Sequence, residues 1–183
     1  YAFGISGDAD HITSTNNPEL SKYRNTGHYF AGVTQIINQN SLLQSNLNVS
    51  SGRGYYTDPY KVFDNRPTDR TEIAWLNRYV LYLQSLQSSA HLDYRIYGNS
   101  WGLFSHMFEM QYYQPVCKGF MLRPTVRYYL QDAANFFSTE VPPTDSNKHN
   151  SADQRLSSFG SVTTGVKGVV SITKDFEIDL DYL

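Results

Sequence analysis

The chain has 183 residues and a formal net charge of −2 at pH 7; 17% of its residues are charged and 15% are aromatic. This near-neutral charge, with no run of basic residues, argues against a nucleic-acid-binding protein. No segment approaches the ~20 consecutive apolar residues of a transmembrane helix. A transmembrane β-strand stays compatible with this composition, because only every second residue of such a strand faces lipid.

Alternation of apolar and polar side chains predicts nine β-strands along the chain. The predicted strands cover about residues 2–7, 27–37, 43–50, 70–84, 91–96, 108–112, 120–131, 162–172 and 176–182. Long polar loops are predicted at 8–25, 52–67 and 138–154, and a reversal of intermediate length at 99–105. Short turns are predicted at 38–41, 85–90, 116–119 and 173–175. Longer connections therefore alternate with short ones.

The last predicted strand shows the alternation most clearly. Its apolar residues are Phe176, Ile178, Leu180 and Tyr182, and its acidic residues are Glu177, Asp179 and Asp181. A water-soluble sandwich would bury the apolar side in a shared core, whereas a transmembrane barrel places it in lipid and the charged side in the lumen. Outer-membrane barrels also combine short periplasmic turns with long extracellular loops, although a lipocalin-like barrel can alternate in the same way.

We therefore predict an all-β fold, an antiparallel up-and-down transmembrane β-barrel. Single-chain bacterial barrels have an even number of strands. Since nine are visible, we expect one barrel domain over residues 1–183 that is incomplete at both ends and has about 10–14 strands when complete. The short turns are expected at the periplasmic end and the long loops at the other end.

The loop before the fourth predicted strand carries a distinctive motif. Residues 52–70 read GRGYYTDPYKVFDNRPTDR. This segment resembles the signature loop Y-Y-x-D-P-Y-K…D-x-R-P-x-x-R of a bacterial outer-membrane β-barrel family of unknown function. Residues 127–129 (RYY), 133–137 (AANFF) and 151–157 (SADQRLS) resemble further blocks of that family in the same order. The resemblance implies an outer-membrane barrel of a Gram-negative-type bacterium, often encoded near flavin-transferring and small lipoprotein genes.

The signature loop is the first candidate site, and we expect it at the barrel mouth. Its residues of interest are Arg53, Tyr55, Tyr56, Asp58, Tyr60, Asp64, Arg66, Asp69 and Arg70. One interpretation is a self-packed loop held by salt bridges, and another is an inward-folded constriction or a docking site for a partner. A metal site formed by Asp58, Asp64 and Asp69 is disfavoured, because the adjacent arginine and lysine side chains compete for the carboxylates.

The composition of the loop predicts order rather than a mobile tip, since its prolines stiffen the backbone and its charges nearly balance. The three tyrosines of the motif are expected to pack at or inside the mouth. We expect Arg66 or Arg70 to pair with Asp58, Asp64 or the inward acid Glu72.

The second candidate site is a set of charged residues on the polar sides of the predicted strands, which we expect to face the lumen. They are Glu72, Arg78, Asp93, Arg95, Glu109, Arg123, Arg127, Lys167, Glu177, Asp179 and Asp181. Such groups must pair or meet water, because burying them unpaired is costly. Their near-balance fits either a small barrel plugged by ion pairs or a wide pore with charged walls.

No catalytic, cofactor or metal site is expected. The five histidines lack paired metal-ligand spacing, and no nucleophile elbow, phosphate loop or dinucleotide fingerprint occurs. Three functions stay open: a porin-like channel for small polar solutes, a structural barrel or sheath anchoring an envelope complex linked to flavin-dependent extracellular electron transfer, and a barrel hydrolase suggested by Asp10–His11. The expected partners are outer-membrane lipid and an envelope lipoprotein or redox protein, without nucleic acid.

Overall fold

A computed structural model describes residues 1–61, 63–140, 148–173 and 176–182, with the backbone alone at 172, 173, 176, 177, 181 and 182. Over these residues the protein is one antiparallel sheet of nine strands, paired in chain order. The strands are β1 (Ala2–Ile12), β2 (Lys22–Asn38), β3 (Ser41–Gly54), β4 (Asp69–Leu83), β5 (Ser88–Asn99), β6 (Phe104–Cys117), β7 (Phe120–Gln131), β8 (Phe159–Thr173) and β9 (Phe176–Tyr182). The described residues also contain two short 3₁₀ turns, Gln84–Leu86 and Gln154–Leu156.

The predicted all-β, antiparallel, up-and-down arrangement is confirmed for the described residues. Within the described ranges the sheet is not closed into a barrel, since β1 pairs there only with β2 and β9 only with β8. Among the described residues, no helix has the length and apolar character needed to cross a membrane.

The first hairpin is longer than predicted. β1 continues to Ile12 and β2 begins at Lys22, so the predicted loop at 8–25 shortens to residues 13–21. The predicted first strand ends at residue 7, because apolar alternation stops where the acidic residues begin at Asp8. The strand continues because charged residues pair across it: Arg24 Nη2 lies 2.6 Å from Asp10 Oδ2, and the two residues are register partners.

The connections separate into two ends of the sheet, because consecutive strands run in opposite directions. Residues 13–21, 100–103 and the described parts of 55–68 and 132–158 connect the strands at one end, which we call the loop end. The turns at 39–40, 84–87 and 118–119 lie at the other end, whereas residues 174 and 175 of the remaining predicted turn lie outside the described residues. Gly119 supplies the positive φ of +81° that the tight turn at 118–119 requires.

One face of the sheet, which we call the apolar face, carries large hydrophobic side chains that are exposed. Cross-strand register aligns Tyr94, Phe108, Tyr128 and Val162 in one row across β5 to β8. Val162 is 67% exposed and Tyr94, the least exposed of the four, is 39% exposed. Further exposed members are Leu43, Leu47, Ile73, Trp75, Met110, Val126, Leu130 and Val166. The described side chains on this side therefore form no conventional buried core.

The opposite face, which we call the polar face, carries charged side chains in register. Arg78, Asp93, Glu109 and Arg127 are successive cross-strand partners on β4 to β7. Asp93 is 6% exposed and Glu109 is 5% exposed. The two faces thus differ as the alternation in sequence predicts, because successive side chains of a strand point to opposite sides.

The compact hydrophobic cluster lies at the loop end rather than within the sheet. Trp101, Leu103, Ala134 and Leu156 form its buried centre, and each is at most 6% exposed. Partly buried aromatic side chains from the neighbouring loops and from β5 pack against it. The main hydrophobic burial in the described chain therefore serves to order the loops.

Candidate functional site

Three connecting segments of the loop end fold together into one structure, which we call the loop cap. It comprises the described residues 55–61, 63–68, 100–103, 132–140 and 148–158. Asn65 and Asn150 exchange backbone hydrogen bonds of 2.8 and 2.9 Å, and the Ala134 N–H donates to the Leu156 carbonyl at 2.8 Å. The loop cap therefore joins the signature loop to the sequence blocks at 133–137 and 151–157, which are far apart along the chain.

The signature loop folds back over the polar face. Tyr56 packs edge-on against Trp101, with ring centroids 5.3 Å apart, and the guanidinium of Arg24 lies 5.1 Å from the Tyr56 ring centroid. A Cβ atom on Gly52, a polar-face position of β3, would lie 2.1 Å from the Tyr56 hydroxyl. Glycine at position 52 therefore leaves the space that Tyr56 occupies against the sheet.

Gly52→Ala is expected to displace Tyr56 from Trp101 and to destabilise the protein by about 1–3 kcal/mol, as overpacking does. The measurements are Trp fluorescence, near-UV circular dichroism and denaturant unfolding. Gly4→Ala is the matched control, since a Cβ at that strand position meets no atom within 4 Å. Equal behaviour of the two variants would contradict the close contact between Tyr56 and the sheet.

A buried carboxylate, Asp153, organises the charges of the loop cap. Its side chain is 3% exposed and has three cationic partners. Arg66 Nη2 donates to Asp153 Oδ2 at 2.9 Å, Arg155 Nη2 donates to the same oxygen at 2.6 Å, and Lys61 Nζ lies 3.1 Å from Oδ1. The Arg155 hydrogen bonds contribute most to holding the pKa of Asp153 well below its ordinary value, against the opposing effect of burial.

Arg66 links Asp153 to a second buried acid. Its Nε lies 2.9 Å from Asp64 Oδ2, and the same oxygen accepts a 2.6 Å hydrogen bond from the Asp58 backbone N–H. The predicted pairing of Arg66 with Asp64 is therefore confirmed, and Arg155 Nη2 approaches Asp58 to 4.0 Å. Sequence analysis placed Arg66 in the site, whereas its partner Asp153 lies 87 positions further along the chain.

The tyrosines of the motif behave differently from one another. Tyr55 is partly buried. Its pKa is raised mainly by this burial and, to a smaller extent, by the nearby carboxylates of Asp64 and Asp58. Tyr60 is 57% exposed, and its hydroxyl lies 3.2 Å from Thr15 Oγ1 in the first loop. Tyr60 therefore bridges to another loop at the surface of the loop end, and the expectation that the three tyrosines pack at or inside a barrel mouth stays a prediction.

The carboxylates considered for a metal site are held by separate groups. Asp69 pairs with Arg53 at 2.7 Å in an exposed pair at the ends of β4 and β3, away from the Asp58–Asp64 contact. Within the ranges that the structure describes, no three histidine, cysteine, aspartate or glutamate side chains gather as metal ligands would. Asp64 and Asp153 thus pair with lysine and arginine side chains of the loop cap itself.

Beneath the loop cap, the polar face forms a cavity of about 390 Å³. Its walls come from β4 to β7 and from the cap: Arg66, Arg70, Arg95, Tyr97, Trp101, Leu103, Ser105, Met107, Tyr129, Gln131, Asp153, Arg155 and Leu156. Four arginines and a single acid thus surround a space with aromatic and aliphatic walls. The cavity therefore lies between the loop cap and the polar face.

Arg70 and Arg95 differ in how their charge is balanced. Arg70 Nη2 lies 2.6 Å from Glu72 Oε1 and 2.9 Å from the Tyr97 hydroxyl, which confirms the predicted Arg70–Glu72 pair. The Arg70 guanidinium also lies 4.6 Å from the Trp101 ring centroid. Arg95 is exposed on the polar face and forms no hydrogen bond or ion pair with any residue that the structure describes.

The other predicted lumen residues also lie on the polar face, where several pair across strands. Arg78 donates to both carboxylate oxygens of Asp93, at 2.7 and 2.6 Å, and Arg127 pairs with Glu109. Two adjacent strand pairs thus carry opposite charges in register, which stabilises them. Their facing toward a lumen stays a prediction, since the sheet is open.

Towards the last strands the same face continues. Lys167 pairs with Asp179, and the guanidinium of Arg123 lies 5.5 Å from the Tyr113 ring centroid. Glu177 and Asp181 align with polar-face positions of β8 by backbone register, but their side chains lie outside the described residues. The polar face thus bears both signs of charge along the described sheet.

Asp10 and His11, the residues that suggested a hydrolase, lie in β1 rather than in a loop and contact different partners. They are neighbours in β1, so their side chains point to opposite faces of the sheet. Asp10 pairs with Arg24, whereas His11 Nε2 lies 3.0 Å from Ser21 Oγ and its ring stacks on Tyr23 at 4.7 Å. Sequence analysis placed both residues in a loop, where such a pair could have formed.

Sequence analysis missed several residues that build the loop cap. Trp101 is the buried centre of the aromatic packing, and its indole N–H donates to the Asp69 carbonyl at 2.9 Å. Gln131, at the end of β7, donates to the carbonyls of Arg155 and Ser157 at 2.9 and 2.8 Å. The available signal was the 151–157 block, because a shared motif in a long loop indicates an ordered structure rather than a flexible connection.

Comparison with known proteins identifies the family. The family model described as "Protein of unknown function (DUF3570)" matches residues 6–182. No curated protein and no solved structure gives a significant match. Because the match extends over almost the entire chain, the protein belongs to this family.

Proposed function

Starting from membership of the DUF3570 family, we propose that this protein is a bacterial outer-membrane β-barrel that acts as a porin-like channel for small polar solutes. The observation that carries the proposal is the contrast between the two faces of the nine-stranded sheet. Large apolar side chains are exposed on one face, and ion-paired charges line the other. This is the distribution that a strand needs between lipid and an aqueous lumen.

The apolar face supports lipid contact. Soluble monomers rarely expose contiguous apolar patches larger than a few hundred Å². Here the row Tyr94, Phe108, Tyr128 and Val162 continues into neighbouring rows that contain Met110 and Val126, with Val126 49% exposed. Lipid hydrocarbon would cover this surface without a second protein layer.

The polar face supports an aqueous or ion-paired interior. The buried acids Asp93 and Glu109 each have an arginine partner, which offsets the cost of removing a carboxylate from water. The loop cap lies over the same face at the loop end, where it would narrow the entrance. Closure of the barrel would pair the free edges of β1 and β9 with further strands, so that no open edge is left in the membrane.

The test of the proposal is conductance of the purified protein in planar lipid bilayers. We expect discrete channel events that scale with the concentration of small ions. Absence of conductance from protein that has inserted into the bilayer would overturn the channel proposal. A structural barrel remains the second candidate, because the ion pairs and aromatic packing of the loop cap are also what a plugged barrel needs. It predicts no conductance and co-purification with an envelope lipoprotein or redox protein.

Arg66→Ala is expected to loosen the loop cap and to change the conductance or the ion preference of the channel. The reason is that Arg66, 10% exposed at its side chain, bridges the two buried acids Asp64 and Asp153. Arg53→Ala is the matched control, since Arg53 is 85% exposed and its pair with Asp69 lies at the surface. In a structural barrel, Arg66→Ala would instead weaken capture of the partner.

The same Arg66→Ala variant also tests whether the loop cap has any role in gating or binding. If Arg66→Ala leaves stability, conductance and complex formation unchanged, as the Arg53→Ala control should, the loop cap is only a connection between strands. Its sequence motif would then reflect common ancestry rather than gating or binding.

A further inference from the structure

The charge around the cavity beneath the loop cap does not cancel. Arg66 and Arg155 both pair with Asp153, and Arg66 also pairs with Asp64. Arg70 pairs with Glu72. These arginines are therefore compensated, and Arg95 is the cavity arginine that has no acidic partner among the residues described.

The acids closest to Arg95 in the sheet are already engaged. Asp93 precedes Arg95 by two positions on β5 and accepts both hydrogen bonds from Arg78. Glu109, the cross-strand partner of Asp93, pairs with Arg127. Directly across from Arg95 lie Leu76 and Met107, which offer no charge. The guanidinium of Arg95 is thus presented to the polar face with its hydrogen-bonding capacity unused.

A second donor near the same cavity also lacks an acceptor. Arg70 uses Nη2 for Glu72 and Tyr97, while its Nε is buried without a hydrogen-bond partner in the described part of the chain. Buried polar groups are normally hydrogen-bonded, so this N–H is a donor that an added acceptor could satisfy. Two arginines of one cavity therefore have unused N–H donors.

The remaining walls favour a ligand with an apolar body. Trp101, Leu103 and Leu156 are at most 6% exposed, and Tyr97, Met107 and Tyr129 share the same cavity. A volume of about 390 Å³ lies at the lower end of the range for small-molecule sites. The combination is a single uncompensated guanidinium beside aromatic and aliphatic surfaces.

We propose that this cavity binds a small organic monocarboxylate, with the carboxylate on Arg95 and an apolar or aromatic body against Tyr97, Trp101 and Tyr129. The planar guanidinium matches a carboxylate through two parallel hydrogen bonds. A phosphate monoester, with a charge of about −1.5 to −2 at pH 7, would need more than one uncompensated cation. The inference deepens the proposed function, because the cavity lies where solutes would reach the lumen.

The test is a fluorescence titration of the purified protein with benzoate. Trp101 borders the cavity, and Trp75→Phe removes the other of the chain's two tryptophans. In this background we expect a saturable change in Trp101 emission with benzoate, a much weaker one with neutral benzyl alcohol, and no competition from equimolar phosphate. Binding of benzyl alcohol as tight as that of benzoate, or equal competition by phosphate, would overturn the monocarboxylate assignment.

Substitution of the arginine decides whether Arg95 is the anchor. Arg95→Gln should weaken benzoate binding at least tenfold, with Arg95→Lys in between. Arg123→Gln is the matched control, since Arg123 lies on the same face outside this cavity. A denaturant unfolding experiment on each variant checks that it is still folded. Arg95→Gln should keep the stability of the wild type, because Arg95 has no described partner. Undiminished binding by Arg95→Gln would refute the proposal.

The conductance experiment and the benzoate titration test the two proposals independently of each other. Benzoate binding by a protein that does not conduct would support this inference and overturn the channel, leaving a barrel that captures carboxylates. Conductance without benzoate binding would overturn this inference alone.

Discussion

Asp153→Asn is expected to lower the free energy of unfolding by about 3–5 kcal/mol, as removal of one member of a buried ion-pair network does. The substitution keeps the size of the side chain but removes its charge. Lys61, Arg66 and Arg155 would then lose the carboxylate they share, in a place where Arg66 has only 10% of its side chain exposed. Denaturant unfolding followed by Trp fluorescence measures the effect.

Asp69→Asn is the matched control for this change. Asp69 also pairs with an arginine, but its side chain is 62% exposed and that of its partner Arg53 is 85% exposed. Exposed pairs contribute little to stability, because water screens the charges and ordering two side chains costs entropy. If the two aspartate variants lost equal stability, burial of Asp153 would not be what gives the loop cap its strength.

The pH dependence of stability, compared between the wild-type protein and Asp153→Asn, gives an independent measurement. Hydrogen bonds from Arg155, and then from Lys61 and Arg66, lower the pKa of Asp153 in the folded protein. In the unfolded chain an aspartate titrates near pH 3.9. The stabilisation is therefore fully present above about pH 4 and is lost as the pH falls towards the lowered folded pKa. The stability difference between wild type and Asp153→Asn should shrink between about pH 4 and pH 2, and an unchanged difference would contradict the assignment.

Val126→Arg is expected to cost about 2–4 kcal/mol of folding stability in lipid vesicles, which is the cost of an arginine on the lipid side near the bilayer centre. Val126 is 49% exposed on the apolar face, between Met110 and Thr164 in the cross-strand register. In water alone the same exposed position would accept an arginine with little effect. Reversible unfolding from vesicles by denaturant is the measurement.

Thr125→Arg serves as the control at the same depth on the other face. Thr125 lies between Gln111 and Gly165 on the polar face, so a new arginine there would meet the lumen of the proposed barrel. We expect its cost to stay below about 1 kcal/mol, which reflects repulsion from the neighbouring Arg123 and Arg127. Equal costs for the two arginines would show that the apolar face does not contact lipid.

The strand content and the two faces could be predicted from the sequence, because both follow from a local rule. Side chains alternate along a strand, so the alternation alone assigns the row of Arg78, Asp93, Glu109 and Arg127 to one side of the sheet. Alternation did not predict the full length of β1, where polar residues interrupt the apolar pattern. β1 runs on through Asp8 and Asp10, because a charge pair with Arg24 replaces apolar alternation as the stabilising contact.

Local patterns in the sequence predict an all-β chain with alternating faces, short turns at one end and an ordered, charge-balanced signature loop. Contacts between distant segments settle which loops meet, that the sheet is open between β1 and β9 over the described residues, and that Arg66 shares Asp153 with Arg155. They also settle that Trp101 is the centre of the loop cap and that Arg95 is left without a described partner. The physical reason is distance along the chain: alternation is written into neighbouring residues, whereas a contact across 87 positions depends on how whole loops pack and leaves no periodic trace in the sequence.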